Sequence, residues 1–411
     1  MSTSPRWLVE AYNRHGAEIL RRDLGARRAG DLAGIGRGRG QRLVHYCRRH
    51  GPPGEDLGDL EALEAQIQSL RDDRNRLRGL LRNRRRAEGI GGKVAREAFE
   101  LANLPIKPPQ WVASSGRTSR AAGVPTLVLS DLHWGEVVDP ATTGGNAYNM
   151  TIARARLRRV VDQTIHILRD HIVSPAGYPG IVVPLGGDMV SGGIHEELAT
   201  TDEEPPGACV VDLAGELIAA LEVLADEFGS VFVPCVVGNH GRQTMRPTYK
   251  RRARLNWDWL LYCMIARHFQ TDERVTLQVP EAPDARYTVA GSTRYLLTHG
   301  DLMGGGGGGG AFGPIGPVLK GRAKVAASNM GDPWDCLILG HWHTYIVLRS
   351  PQVVVNGSTK GPDEYTLGLR LAPSPPCQAL FLTHPKHVGP TIALPVFCDE
   401  PERATAEAFA C

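Results

Sequence analysis

The segment TLVLSDLHWG occupies residues 126–135 and consists of a short apolar run followed by an aspartate and a histidine, Asp131 and His133. Short apolar runs without charge are typical of buried strands. The same arrangement, an apolar run that ends in polar residues, recurs four times farther along the chain. The later copies are IVVPLGGD (181–188), VFVPCVVGNH (231–240), RYLLTHGD (294–301) and CLILGHWHT (336–344).

Amphipathic helical stretches separate most of these runs, at residues 151–172, 210–228 and 256–269. Strands that alternate with helices predict an α/β fold. Later apolar runs follow one another without helices between them and indicate an antiparallel addition; they are YIVLR (345–349), VVVN (353–356) and ALFLT (379–383). We therefore expect an α/β sandwich of two mixed β-sheets flanked by helices, preceded by a helical N-terminal accessory region.

The polar ends of the five runs carry side chains suited to metal ions. Loops at the carboxyl ends of strands bring distant residues to one place, and Asp, Asn and His bind divalent transition metals. Asp131 and His133 are close enough in sequence to bind one metal ion. The side chains of His341 and His343 point in different directions and could each bind a different ion. Asp188, with its neighbouring glycines, is the natural bridging ligand. A pair of ions held in this way clamps both oxygens of an in-line phosphoryl displacement.

Together, the motifs D-x-H, G-D, G-N-H, H and G-H-x-H between about residues 125 and 360 resemble those of the calcineurin-like metallophosphoesterase superfamily. The resemblance implies that a first ion is held by Asp131, His133, Asp188 and His343, and a second by Asp188, Asn239, His299 and His341. It also implies that His240 is not a ligand but stabilises the transition state or protonates the leaving oxygen. The expected cofactor is two divalent metal ions. Mn²⁺ suits mixed oxygen and nitrogen ligation, and Fe, Zn and Ni accept similar sites.

Residues beside the motifs are candidates for substrate binding. Arg242 follows closely on the G-N-H motif, where many members of the superfamily carry an acid. It either grips a phosphate in bidentate fashion or has an ordinary surface role. His195, which follows the G-D motif, is a second candidate to face the substrate. Asp301 either orients His299 or is a solvated loop acid.

The motifs also bear on the substrate class. The Asp-Arg-Gly signature of protein Ser/Thr phosphatases is absent, since MVSGG (189–193) follows the G-D motif. The G-N-H motif resembles more closely the DNA-repair nucleases of the superfamily and the phosphoesterases of phage genomes. We therefore expect a DNA nuclease or another phosphodiesterase. The alternative is a small-molecule phosphomonoesterase or a cyclic-nucleotide phosphodiesterase. A non-enzymatic DNA-binding protein is disfavoured, because every ligand position and His240 are retained.

The net charge of +3 conceals a strong asymmetry. Residues 1–120 carry 24 Lys and Arg against 14 Asp and Glu, and the remainder carries 23 against 30. This asymmetry indicates a polyanionic partner for the basic part, and DNA is the expected one. Residues 1–55 are predicted to form a basic helical region. It is either a helix-turn-helix or a plain solvated module; the recognition helix would contain Arg37, Arg39, Arg42, Arg48 and Arg49.

The rest of the chain divides by composition. Residues 56–103 are predicted to form a helix or coiled coil. The spacing of apolar residues across 57–87 fits either about three heptads that join a homodimer, or one helix packed on the catalytic domain. Residues 104–124 are rich in Pro, Ser and Gly and predict a linker. The metal-binding domain is expected at 125–370, and a C-terminal extension with an added strand at 371–411.

Composition also indicates where the protein resides. The 411 residues are 42% apolar, which is ordinary for a globular protein. They contain no run that approaches 18 apolar residues, and the first residues lack the apolar segment of a secretory signal. Eight cysteines without a C-x-x-C pair favour a reducing compartment. We expect a cytoplasmic protein without membrane contact, with a flexible surface loop at the seven glycines 304–310.

Overall fold

The computed structural model describes residues 5–50, 108–113, 123–194, 196–303, 315–328 and 331–400. The chain divides into two compact units, Met1–Arg86 and Ala87–Cys411. Some predicted features lie wholly or largely outside the described residues, namely the helix or coiled coil at 56–103 with its 57–87 seam, most of the linker at 104–124, and the glycine run at 304–310.

The first unit contains a compact group of helices, α1 (Arg6–Arg21), α2 (Ala26–Leu32) and α3 (Arg37–His50). Its small core includes Ile19 of α1 and Leu43 of α3, both buried. Residues 33–36 form a tight turn between α2 and α3. The two helices touch at Gly40, where a Cβ atom would overlap the main-chain oxygen of Ala26. This order of elements, a short helix followed by a tight turn and a longer helix, is that of a helix-turn-helix.

Within the described residues, the second unit contains eleven strands and seven helices. The strands are β1 (Val124–Leu127), β2 (Ile181–Val182), β3 (Val231–Pro234), β4 (Val275–Gln278), β5 (Asp284–Val289), β6 (Thr293–Thr298), β7 (Cys336–Leu339), β8 (Ile346–Arg349), β9 (Gln352–Val355), β10 (Cys377–Thr383) and β11 (Pro390–Phe397). The helices are α4 (Gln110–Ala113), α5 (Met150–His166), α6 (Glu196–Thr201), α7 (Pro206–Phe228), α8 (Trp257–His268), α9 (Ile315–Ser328) and α10 (Glu364–Gly368).

The strands form two mixed sheets. In the first sheet the order is β11-β10-β1-β2-β3-β4, in which β1 to β4 are parallel and the pairs β1/β10 and β10/β11 are antiparallel. In the second the order is β5-β6-β7-β9-β8, in which β6, β7 and β9 are parallel and each edge strand is antiparallel to its neighbour. The predicted α/β sandwich of two mixed sheets flanked by helices is confirmed.

The sheets pack face to face because successive side chains along a strand point to opposite faces. Val182 and Phe232 of the first sheet share a buried cluster with Ile338 and Val354 of the second. Val231, next to Phe232, belongs instead to the core on the outer face of the first sheet, which α5, α7 and α8 cover. Helix α9 covers the outer face of the second sheet. The layers are therefore helix, sheet, sheet and helix.

The segment after residue 370 is part of this core. Strand β10 pairs with β1 from Val124 opposite Thr383 to Leu127 opposite Leu380, and all of its residues are buried. Strand β11 then forms the edge of the same sheet. The sequence predicted one added strand in a separate extension, whereas the structure has two, and β10 lies inside the sheet.

The cysteines lie in the protein interior. All seven cysteines in the described part of the chain are free and buried.

No helix in the described part of the chain is long and apolar enough to cross a membrane.

The polar motifs lie at the carboxyl ends of parallel strands. In the first sheet, β1, β2 and β3 lead to Asp131, Asp188 and Asn239. In the second, β6 and β7 lead to His299 and His341. Because parallel strands end at the same edge of a sheet, the topology gathers these loops at one end of the sandwich.

Candidate metal centre

Seven aspartate and histidine side chains meet at this end of the sandwich. Their ligand atoms form three overlapping groups, and within each group the atoms lie within 4.8 Å of one another. The groups are Asp131 with His133 and His343, His133 with Asp188 and His240, and Asp188 with His299 and His341. Since His133 and Asp188 each belong to two groups, the three groups form one continuous cluster that could hold metal ions.

The remaining predicted ligand is Asn239, which precedes His240 in the chain. Its Oδ1 atom is buried, and no hydrogen-bond partner for it is found among the described residues. A buried polar atom without a partner costs about 1–3 kcal/mol. A cation bound at this oxygen would remove that cost.

Short distances join the side chains of the cluster. The Nε2 atom of His299 lies 2.9 Å from Asp188 Oδ2. The Nε2 atom of His343 lies 3.1 Å from His133 Nε2 and 3.4 Å from Asp131 Oδ1. Two imidazole nitrogens this close need a proton or a metal ion between them, because their lone pairs would otherwise face each other. The donor atoms therefore converge on shared positions.

The backbone of the cluster is unusual. Non-glycine residues rarely adopt a left-handed conformation, which costs on the order of 1–3 kcal/mol each and is concentrated at functional sites. Most of the predicted ligands have positive φ angles, from 46° to 67°; these residues are Asp131, His133, Asp188, His341 and His343. The sharp turns at the strand ends direct these side chains into the cluster, and the surrounding hydrogen bonds hold them there.

A glycine lets two of the motif loops approach each other. At Gly238, the first residue of the G-N-H motif, a Cβ atom would overlap the carboxylate of Asp188. The main-chain N–H of His240 donates to Asp188 Oδ1 over 2.6 Å. The loop after β3 is therefore packed directly on the carboxylate that follows β2.

Most groups of the cluster have the protonation states that metal binding requires, ionised carboxylates and neutral imidazoles. Although burial opposes it, the charged imidazole of His299 holds the pKa of Asp188 well below its usual range. Burial and the charge of Lys360 lower the pKa of His133. Burial lowers the pKa of His341 to about 4.

His299 differs from the other imidazoles. Burial lowers its pKa, but the Asp188 carboxylate outweighs burial and raises the pKa of His299 to about 10. Its Nδ1 atom donates to the main-chain oxygen of Gly186 over 2.8 Å, so Nε2 faces Asp188. The cluster thus attracts positive charge, and metal binding is expected to release the His299 proton. Together with the buried Asn239 oxygen, this shows that the residues fit divalent cations.

Sequence reasoning missed a buried charge network behind His133. Oε2 of Glu136 lies 3.1 Å from His133 Nδ1, the arrangement in which a carboxylate orients a metal-binding imidazole. Oε1 of Glu136 accepts from Lys360 Nζ over 2.8 Å, and Lys360 also donates to Asp363 Oδ2 over 2.6 Å. The only sequence signal for this network was the position of Glu136 three residues after His133.

Sequence reasoning also missed Asp258, which joins two motif loops. Its Oδ2 accepts from the main-chain N–H of Asp188 (3.0 Å) and Gly238 (2.9 Å), and its Oδ1 accepts from that of Met189 (3.2 Å). Asn256, which caps α8, adds a bond from its side-chain nitrogen to Gly238 O over 2.8 Å. Burial and the Asp188 charge raise the pKa of Asp258 to about 7, while the N–H donors favour its ionised form.

The structure places the other candidate residues differently. The guanidinium of Arg242 donates to the main-chain oxygens of Asn239 and Thr244, each over 3.1 Å, so it braces its own loop. Asp301 forms a 2.8 Å ion pair with Arg252, and within the described residues no hydrogen bond joins it to His299, whose Nδ1 bonds Gly186 instead. His195 lies outside the described residues.

The ring of His240 is held by the main chain. Its Nδ1 atom donates to the oxygen of Ser191 over 3.0 Å, and its ring lies edge-on to that of His133 with centroids 4.5 Å apart. Burial lowers the pKa of His240 to about 3, against the opposing effect of Asp188. The imidazole is therefore neutral in the free site. It belongs to one of the three groups of ligand atoms, together with His133 and Asp188.

Comparisons with known proteins give little further information. No protein-family model and no curated protein sequence matches the chain. Among solved structures, that of a novel archaeal phosphodiesterase is similar with a TM-score of 0.29 and 14% identity, covering 66% of this chain and 99% of that one.

An Asp258→Asn substitution is expected to weaken metal binding by about 10- to 100-fold. The amide must place its nitrogen either against the main-chain N–H donors of Asp188 and Gly238 or against that of Met189. At least one buried donor then loses its acceptor, which lowers the free energy of unfolding by about 1–3 kcal/mol. Calorimetric titration with Mn²⁺ measures the first effect, and urea unfolding in the presence of a chelator measures the second.

The matched control is Asp226→Asn. This carboxylate is exposed on α7 and pairs with Arg274 at the surface, so both quantities should stay close to the wild-type values. Wild-type affinity for Mn²⁺ in the Asp258→Asn variant would show that Asp258 does not position the metal-binding loops.

Proposed function

We propose that the chain is a phosphodiesterase that depends on two divalent metal ions, as its motif resemblance to metallophosphoesterases also favours. The position of Asp188 carries the proposal, because its carboxylate belongs to two groups of ligand atoms at once. A carboxylate shared in this way can hold two ions next to each other. Following the motif resemblance, we assign Asp131, His133 and His343 to one ion and Asn239, His299 and His341 to the other.

Each part of the centre has a role in the proposed reaction. Bound divalent ions supply Lewis acidity at the phosphoryl oxygens of an in-line displacement. Asp131 and Asp188, both ionised, give the site its affinity for cations. Ser191 fixes the His240 ring through Nδ1, and a phosphodiester bound nearby favours protonation of that imidazole. His240 then protonates the leaving oxygen or stabilises the charge that develops there.

We propose DNA as the substrate class. Residues 5–50 contain eleven arginines and four acidic residues. Helix α3 contains no Asp or Glu and exposes Arg37 and Arg42. Such a surface binds phosphates with release of counterions. Its position as the second helix of a helix-turn-helix arrangement supports insertion of α3 into the major groove.

An Asp188→Ala substitution is expected to lower the metal content from two ions per chain to none and to abolish turnover. The reason is that each set of ligands loses its shared carboxylate. Elemental analysis counts the ions, and activity is measured with Mn²⁺ on mono- and bis-nitrophenyl phosphate and on single- and double-stranded DNA. Asp226→Ala, at an exposed site, should match the wild type.

Two outcomes would contradict this account. Two bound ions in the Asp188→Ala variant would remove the shared role of Asp188. Faster hydrolysis of the monoester than of the diester and DNA by the wild-type protein would favour a small-molecule phosphomonoesterase instead.

A His240→Asn substitution should lower kcat on DNA by about 10²- to 10⁴-fold while both metal ions are retained. Nitrophenyl leaving groups need little protonation, so a general acid predicts a smaller loss on the nitrophenyl ester than on DNA. An equal loss on both substrates instead indicates stabilisation of the transition state. His268→Asn, at a surface histidine paired with Glu222, is the control. Loss of one metal ion would show that His240 is a ligand.

The double variant Arg37→Gln/Arg42→Gln tests the contribution of α3. Loss of two phosphate contacts should reduce the slope of log affinity for duplex DNA against log salt concentration by about 2. The control Arg6→Gln/Arg22→Gln removes the same charge at the two ends of α1, where the two arginines pair with Glu10 and Glu18. An unchanged slope in the α3 variant would assign the N-terminal unit another role.

A further inference from the structure

A second basic segment lies within the catalytic unit itself. Residues 242–256, which we name the basic loop, contain no Asp or Glu. This composition is unusual in a part of the chain where acidic residues outnumber basic ones. Six of the fifteen residues are basic, namely Arg242, Arg246, Lys250, Arg251, Arg252 and Arg254.

Hydrogen bonds close the base of the basic loop. Arg242 and Asn256 form an antiparallel bridge, and the main-chain N–H of Gln243 donates to Leu255 O over 2.9 Å. The chain therefore leaves the G-N-H motif directly after His240 and returns to its point of departure. A loop with joined ends projects as one unit.

The base of the basic loop is also fixed to the metal centre. Asn256 bonds Gly238 O through its side chain, and Arg252 forms the ion pair with Asp301, two residues after His299. The loop thus starts at one motif loop and is tied to another. The basic loop therefore projects from a base that is fixed beside the candidate metal centre.

The tip carries exposed groups of two kinds. Tyr249 is 82% exposed, and no large apolar side chain in the described part of the chain is more exposed. Arg246, Lys250 and Arg251 are exposed beside it. Near the base, by contrast, Arg254 pairs with Glu281. The tip therefore carries exposed cationic groups close in sequence to a solvent-exposed aromatic ring.

We propose that the tip of the basic loop binds single-stranded nucleic acid at the entrance to the metal centre. Tyr249 stacks on an unpaired base, and Arg246, Lys250 and Arg251 contact backbone phosphates. Aromatic rings combined with a cationic track are how proteins bind single strands without sequence preference. A paired base does not expose its face to Tyr249, which is why a single strand is favoured over a duplex. The inference rests on the proposed function, because it supplies the polymer whose phosphodiester reaches the metal ions.

The stacking contact is tested by fluorescence anisotropy with a labelled single-stranded DNA of mixed sequence. The full chain is used in the presence of a chelator, so that no cleavage occurs. Tyr249→Ala should weaken binding by about 5- to 100-fold, whereas Tyr249→Phe, which keeps the ring, should bind as tightly as the wild type. Tyr365→Ala removes another exposed tyrosine, on α10, and should have no effect.

The phosphate contacts are tested with Arg246→Gln/Lys250→Gln. The slope of log affinity against log salt concentration should fall by about 1.4, two contacts at about 0.7 each. The matched control Arg349→Gln/Lys386→Gln removes one arginine from the end of β8 and one lysine from the turn after β10. Both positions lie at the opposite end of the strands from the motif loops, so the slope should not change.

The outcomes separate this inference from the proposed function. Hydrolysis of bis-nitrophenyl phosphate should be unchanged in every loop variant, because that substrate is too small to use the tip. Absence of this hydrolysis in the wild type would refute the proposed function alone, since binding of the strand is measured without turnover. Equal affinity of Tyr249→Ala and the wild type for the single strand would overturn the inference. An equal loss of affinity for single strand and duplex would also overturn it.

Discussion

The site depends on the burial of two carboxylates among imidazoles at one end of the sandwich. A carboxylate removed from water needs positive charge beside it. His299 supplies such charge as a proton, and for that reason the Asp188 carboxylate raises its pKa to about 10. Divalent cations would meet the need more completely, since they could also take Asp131 and the buried oxygen of Asn239 as ligands. The capacity of this cluster to hold metal ions thus follows from where the strands of two sheets end.

Keeping these charged groups together requires support from outside the ligand set. Left-handed turns direct the ligands inward and are energetically unfavourable. Asp258 offsets this by binding main-chain N–H groups of two motif loops. Glu136 orients His133 from behind, and Lys360 neutralises Glu136. In this arrangement the supporting residues hold the candidate ligands in place without any ion.

The sequence predicted the parts of the fold that rest on local patterns. Uncharged apolar runs located the strands that lead to the motifs, and their order with helices predicted the two mixed sheets. Strand β11 was missed because only one of its residues is fully buried and it includes two prolines. Asp258 could not be recognised, since its partners lie 20 and 70 residues away and an acid in the first turn of a helix is ordinary. The basic loop was seen only through Arg242, because its closure depends on pairing with Asn256.

The proposed function requires that Asp188 hold two ions next to each other. Metal content alone does not establish that two bound ions are neighbours. Electron paramagnetic resonance of the Mn²⁺-loaded wild-type protein tests this requirement most directly. Two ions that share the Asp188 carboxylate should be magnetically coupled, so the account predicts the spectrum of an exchange-coupled Mn²⁺ pair at two ions per chain. A spectrum of isolated Mn²⁺ ions at the same occupancy would contradict it.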